Sequence, residues 1–474
     1  MLFHTPIFLG FLGIVFCLYY FFPRLRLYLL TLANIIFYLS AGVAYFFVFI
    51  GIVTLSYYIS RGLLGKYGKW SLIGSISLVL GNLLFFKYSL FLLRNVEKVL
   101  GIGLNLQSTF WADLVLPIGI SFYTFQIIAY VTDVYKRKLE PAKSWIEFWT
   151  FISLFIHSAA GPILRGKEFL PQLRNIQNLK FKPTGFKLGI AYITMGLAKK
   201  LLLADQIAPE VNAFFARSAE LSGAEAWVAA YLFAFQIYMD FSAYSDMAVG
   251  IGHLLGLRID LNFRTPYLSA NSGEFWRRWH ITLSGWIRDY IYIPLGGSRV
   301  SKLRSYANLV FAMTLSGLWH GAAWTFIIWG LYHGFLQVGH HIYKGWIQKL
   351  GWEKLQTSRL YRVVAVFVFF HLVVIGWVFF RAQGISNALH MVKVMLTMNP
   401  LHIQPAMYEY LAFVAALFLL HMLEAYIVKR FSRLSLLWQL KVPALVRAAV
   451  YTIIIIVLQY NLEGEHNSFI YFQF

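Results

Sequence analysis

Cysteine is nearly absent from this sequence. The single residue, Cys17, lies in an apolar run, so no intrachain disulfide can form and zinc sites built on two or four cysteines are excluded. Charge is scarce as well. Asp, Glu, Lys and Arg make up 13% of the 474 residues, against about a quarter in a soluble globular chain. Acidic residues are the scarcest, 20 against 41 basic ones, for a formal net charge of +21. A nucleic-acid-binding protein would collect that excess on one domain. Here it is scattered between apolar segments, which argues against nucleic acid and for positive-inside bias and attraction to anionic lipid headgroups. Contact with an anionic substrate such as coenzyme A is a second use for it. Also missing are a G-x-S-x-G elbow and a P-loop, which excludes those two chemistries. No internal repeat, low-complexity tract or soluble-domain linker is present.

What fills the chain instead is apolar and aromatic. Hydrophobic residues reach 59% and aromatic ones 18%, with 15 Trp and 29 Tyr. Trp and Tyr suit the edges of a bilayer, where one end of the ring is apolar and the other is hydrated. Runs able to cross roughly 30 Å of hydrocarbon recur throughout. They fall at 7–22, 27–39, 43–59, 71–86, 114–131, 145–160, 185–203, 227–254, 307–329, 363–380, 411–428 and 444–458. Several are short for a straight span, which predicts tilted, re-entrant or broken segments. The first run lacks a preceding basic region and a small-residue cleavage site, so it reads as a retained span. The expectation is an all-α, polytopic membrane protein forming one domain over 1–474.

Loop charge predicts orientation. Arg165, Lys167, Arg174, Lys180, Lys182 and Lys187 have only Glu168 to offset them. Lys429, Arg430, Arg433, Lys441 and Arg447 have no acidic residue among them. Both stretches read as cytoplasmic, which puts the tail 461–474, with Glu463 and Glu465, outside. The run 145–160 has basic loops on both flanks and is followed by Gly161 and Pro162. A single crossing cannot satisfy both flanks, so a bent or re-entrant segment is expected there. Non-helical backbone at that depth needs a protein-lined cavity.

Three stretches carry residues able to do chemistry. His320 lies in an apolar segment between Trp319 and Gly321. On a continuous helix Ser316 and Trp324 share its face, and Trp319 and Trp324 could wall an apolar slot. An ionisable residue inside a span is a functional candidate by default, although a histidine bonded to a neighbouring helix gives the same pattern. The stretch Phe275-Trp276-Arg277-Arg278-Trp279-His280 runs on to Asp289. As one helix it lines His280, Ser284 and Arg288 along one face, with Arg277 one turn before. Arg277, Arg278 and Arg288 could then hold donor phosphates through paired N–H groups. An interfacial helix lying among headgroups fits the same Trp/Arg mixture. The third stretch, Asp240-Phe241-Ser242-Ala243-Tyr244-Ser245-Asp246, brings two carboxylates into an apolar segment, where each needs a partner. Asp246 is the candidate for orienting a catalytic group. His333, His340 and His341 raise the alternative of a di-iron oxidase, but with an incomplete ligand set, so no metal is expected.

At these stretches the chain resembles the membrane-bound O-acyltransferase family, most closely its bacterial alginate O-acetyltransferase-like branch. The likeness extends over 117–126, 161–163, 241–248, 275–297, 315–334 and the closing 469–474, and so over nearly the whole length. Ala243 departs from the glycine expected in many relatives. The resemblance implies a ring of about 11–13 tilted transmembrane or re-entrant helices around a central tunnel, in the bacterial cytoplasmic (inner) membrane. It implies that His320 is the family's central catalytic histidine and that His280 occupies its second polar position, with Ser316, Asp246, Trp319 and Ser284 supporting or lining the tunnel. The implied reaction takes an acyl group, as acetyl, from a cytoplasmic thioester such as acetyl-CoA. Its destination is an exported polysaccharide or cell-wall glycan. No bound cofactor is expected. Membrane lipids and a periplasmic or membrane-anchored acyl-accepting protein of the SGNH esterase type are the expected partners. A transporter or flippase for a lipid-linked glycan is the alternative, and it calls for the inverted symmetry that is missing here.

Overall fold

In lipid every backbone N–H and C=O must be satisfied within the protein, and a run of apolar residues does this most simply as a helix. The computed structural model describes all residues except 104–105, 107–109, 111–115, 159–160, 399–404, 463–468 and 471–474. Among the described residues all regular structure is helical and there is no strand. Five helices among the described residues are long and apolar enough to cross a membrane: Val43–Ser60, Gly68–Leu100, Arg359–Arg381, Met407–Phe431 and Ala444–Leu462. The pair Pro6–Phe21 and Pro23–Leu39, bent by 113°, makes a sixth if it counts as one broken span. The chain is thus a multi-pass, all-α membrane protein. Parts of the expected run 114–131, the last residues of 145–160 and most of the tail after 462 lie outside the described residues.

The chain divides into two compact units. The first comprises 1–195 with 244–261. It contains α1 (Pro6–Phe21), α2 (Arg26–Leu39), α3 (Val43–Ser60), α4 (Gly68–Leu83), α5 (Ser89–Leu100), α6 (Ile120–Tyr135), α7 (Trp145–Ser153), α8 (Gly166–Arg174) and most of α9 (Pro183–Ala198). Helix α6 is buried almost throughout. Asn82 on α4 donates to the Tyr123 hydroxyl of α6 at 2.7 Å. Buried Arg26 donates to the carbonyls of Tyr19, Ile176 and Leu179, and so uses its charge to tie the end of α1 to the 176–179 segment.

The expected bend in 145–160 is present, but it comes earlier than Gly161-Pro162. Helix α7 stops at Ser153, Leu154 turns extended, and residues 155–158 form a turn. The cause is Asn34 on α2. Its Oδ1 accepts the Phe155 N–H at 2.9 Å and its Nδ2 donates to Ser153 Oγ at 3.1 Å. One amide therefore replaces the helical bonding that the chain gives up. Gly119, at φ +73°, makes room for the same turn, since a Cβ there would collide with the Ser158 carbonyl.

The second unit comprises 196–243 and 262–473. It contains α10 (Asp205–Ala216), the start of α11 (Gly223–Leu255), α12 (Ser272–Trp276), α13 (Ile281–Ile287), α14 (Lys302–His320), α15 (Trp324–Lys349), α16 (Glu353–Gln356), α17 (Arg359–Arg381), α18 (Ile385–Thr397), α19 (Pro405–Lys441) and α20 (Ala444–Leu462). Its buried charges are paired. Lys200 lies 2.7 Å from Asp240 and 2.9 Å from Asp205. The other Asp240 oxygen accepts the Ile470 N–H at 2.6 Å. Lys199 lies 2.6 Å from Glu424, which also accepts from the Tyr238 hydroxyl at 2.7 Å.

The run 307–329 is not one span. Helix α14 ends at His320, Gly321 is extended, and α15 starts at Trp324. The two helices return on each other as a hairpin because their contact faces carry glycine. A Cβ on Gly317 would strike the Phe326 carbonyl and come within 2.9 Å of Gly330. Small residues facing one another let two backbones approach closely in lipid, where packing rather than water drives association.

Asn34→Ala should lower stability by about 1–3 kcal/mol, the cost of leaving a buried N–H unpaired. Thermal unfolding of the purified protein in detergent measures this. An unchanged midpoint would mean that another group satisfies Phe155.

Candidate functional site

The site is built at the end of α14. His320 is the last residue of that helix and is 4% exposed. Its ring centre lies 4.8 Å from that of Trp319, 5.1 Å from Trp329 on α15 and 5.1 Å from Phe380 on α17. Ser316, one turn earlier on α14, is buried on the same helix. Trp324 is 52% exposed, so the slot expected between Trp319 and Trp324 does not form. The helix ends before residue 324, and the i+4 relation is lost with it. Trp329 and Phe380 wall the imidazole instead.

His280 is fully buried, and its ring centre lies 5.8 Å from that of Trp319. The same indole therefore touches both histidines. Phe241 packs edge-on against His280 at 4.7 Å. The continuous helix expected over 275–290 is absent. Helix α12 ends at Trp276, and His280 takes a left-handed conformation (φ 43°, ψ 55°) as the residue before α13. A non-glycine residue there is strained and persists only when its surroundings hold it. Asn262 does the holding. Its carbonyl accepts the Ile281 N–H at 2.9 Å, and its Oδ1 accepts the Thr282 hydroxyl at 2.7 Å and the Thr282 N–H at 3.2 Å. The Arg264 N–H donates to the Arg278 carbonyl at 2.9 Å and ties the two ends of the turn.

The break falls between Trp276 and His280, so Arg277 is parted from the run that holds His280, Ser284 and Arg288, in which the Ser284 N–H donates to the His280 carbonyl at 2.9 Å. Ser284 donates its hydroxyl to the Trp279 carbonyl at 3.2 Å and braces the turn. Arg288 is 64% exposed and bound to Asp289 at 2.7 Å. Arg278 lies 2.8 Å from Glu274, which Arg362 reaches as well, at 3.1 Å. Burial pushes the Glu274 carboxyl up, but the Ala270 N–H and the two arginines outweigh it and hold it below the usual carboxylate range. Arg277 is exposed and has no ion pair among the described residues. It is the arginine of the three whose charge is not already met by a carboxylate. Asp246 belongs to the first unit, buried on α11. Asn262, Trp329 and Phe380 escaped the reading of the sequence. Spacing along the chain cannot pair the Asn262 amide with a turn 18 residues on.

The family model described as MBOAT, membrane-bound O-acyltransferase family, matches residues 142–380, a stretch that contains every residue just described. This chain belongs to the membrane-bound O-acyltransferase family. It is an O-acyltransferase, and that assignment decides against the transporter and the di-iron oxidase. A peptidoglycan O-acetyltransferase of Helicobacter pylori is 34% identical to it, over 84% of this chain and 80% of the relative. A probable alginate O-acetylase of Pseudomonas aeruginosa is 37% identical, over 83% of this chain and 72% of the relative. A teichoic acid D-alanyltransferase of Bacillus subtilis is 26% identical, over 57% and 70%.

Asn262→Ala should lower acyl transfer by about tenfold while unfolding shifts little, because a lost hydrogen-bond pair of roughly 1.4 kcal/mol releases His280 from its turn. Asn262→Asp keeps the accepting oxygen and should restore most of the rate. Equal loss in both variants would remove Asn262 from this role.

Proposed function

We propose that this acyltransferase moves an acetyl group from a thioester on the cytoplasmic side, acetyl-CoA or a similar donor, toward hydroxyls of an exported polysaccharide or cell-wall glycan. The membrane is the bacterial inner membrane. The acetyl group passes through a periplasmic or membrane-anchored acyl-accepting protein, for which an SGNH-type esterase or transferase is the expected form. The names of the relatives support the acetyl group and the glycan. The observation that carries the reading is the pair of buried imidazoles, His280 and His320, that both pack against the Trp319 ring.

In this reading neutral His320 accepts the proton of the attacking hydroxyl. The oxygen bonds to the thioester carbonyl carbon, and the C–S bond then breaks. The leaving sulfur takes the proton from the imidazolium. A base of this kind contributes about 10²–10⁴-fold to rate. His280 positions the acceptor or donates to the carbonyl oxygen as negative charge develops there, the kind of stabilisation that preformed donors supply. Ser316 supports the site. Arg277 is the arginine best placed to meet donor phosphate, because Arg278 and Arg288 are held by carboxylates.

His320→Ala should reduce acetyl transfer in a purified assay by about 10²–10⁴-fold, with protein still present in the membrane at normal level. His280→Ala should fall by a smaller factor. Near-normal turnover by His320→Ala would remove the base. Arg277→Ala should raise the donor KM with kcat nearly unchanged, and should do so more than Arg288→Ala. Equal, small effects would place the phosphate contact elsewhere.

A further inference from the structure

Lys199, Tyr238, His421 and Glu424 take no part in the reaction as described, yet they form a charged group within an apolar span. His421 and Glu424 lie one turn apart on α19, inside Met407–Phe431. The Glu424 carboxylate lies 2.6 Å from the Lys199 ammonium, accepts the Tyr238 hydroxyl at 2.7 Å and lies 3.3 Å from Nδ1 of His421. His421 is fully buried, and the Tyr238 ring meets it edge-on with 4.7 Å between ring centres. Its other nitrogen, Nε2, accepts the backbone N–H of Tyr267 at 3.3 Å. Apolar side chains would fill this space without the cost of desolvating a lysine and a glutamate. Ionisable groups kept in a span call for a function.

What this group holds is the segment 262–267. Thr265 there is left-handed (φ 44°, ψ 65°), a conformation that a β-branched residue keeps only when its neighbours over-determine it. On one side the Arg264 N–H ends on the Arg278 carbonyl, and on the other the Tyr267 N–H ends on His421. The Tyr267 ring lies 6.1 Å from that of Trp279, the residue before His280. The segment begins at Asn262, which holds Ile281 and Thr282. We infer that His421 and Glu424 are positioning residues for His280, acting through this segment. A carboxylate can only accept, so Glu424 keeps the ring proton of His421 on Nδ1 and leaves on Nε2 the lone pair that the Tyr267 N–H requires. The other tautomer would set two donors against each other. Lys199 and Tyr238 fix the carboxylate in the orientation that selects the first.

This inference rests on the role proposed above for His280, and the His280→Ala background separates the two. Thiol release from acetyl-CoA is followed in membranes that contain the full-length enzyme, per amount of enzyme. His421→Phe should lower kcat about tenfold, the worth of one buried hydrogen bond, with KM for acetyl-CoA unchanged. Glu424→Gln, nearly the same shape, should do likewise, because its amide can donate to Nδ1 and draw the other tautomer. His421→Gln, whose side-chain oxygen can accept the Tyr267 N–H, should restore most of the rate. In His280→Ala, His421→Phe should cause no further loss. A second tenfold loss in that background overturns the positioning role and leaves His280 in place. An unchanged rate per enzyme with less protein in the membrane marks a packing role and overturns it as well. A near-wild-type rate of His280→Ala overturns the reading of His280, and this inference with it. Glu424→Gln carries the test should His421→Phe fail to accumulate.

Discussion

At Gly317 and Gly330 the backbones of α14 and α15 come as close as two helices can, and the position of His320 follows from that approach. A side chain on either glycine would force the helices apart. With them apart, Trp329 could not lie against the imidazole, and the extended residue Gly321 could not turn the chain back so sharply. Contact between small residues and fit between aromatic ones hold this packing. The hairpin is a rigid support that delivers a titratable ring to the end of a helix. The aromatic wall around that ring comes from three separate elements.

The second histidine is held by a different device. His280 sits at a strained backbone position, and the strain is offset by the three hydrogen bonds that Asn262 accepts. A strained residue in a fully bonded turn has few ways to move. Both imidazoles are therefore fixed against Trp319, one by helix packing and the other by a loop. A membrane O-acyltransferase that must bring an alcohol and a thioester together gains from such rigidity, because a small displacement at the reacting atoms costs much rate.

Elsewhere the same economy governs polar groups in an apolar body. Asn34 closes the open end of α7, Arg26 gathers three carbonyls, and Lys200 lies between two carboxylates. Each removes the penalty of a buried group left unpaired.

The sequence by itself determined the class of the molecule. Scarce charge, long apolar runs and a lone cysteine require a helical membrane protein, because only internally bonded backbone is stable in lipid. The stretches around His280 and His320 pointed to the family, and the bend after Trp145 was legible from its flanking charges. Tertiary structure decided what faces what. A helical period assumes an unbroken helix, and both chemical stretches are broken, at Trp276 and at His320. Past a break, spacing carries no information about facing. Trp324 therefore lost its expected place to Trp329, and Arg277 was parted from the helical run that begins at His280. Asn262 and Phe380 joined the site from distant parts of the chain. Residues that meet through packing leave no periodic signal, since their proximity is a property of the folded path and not of their order.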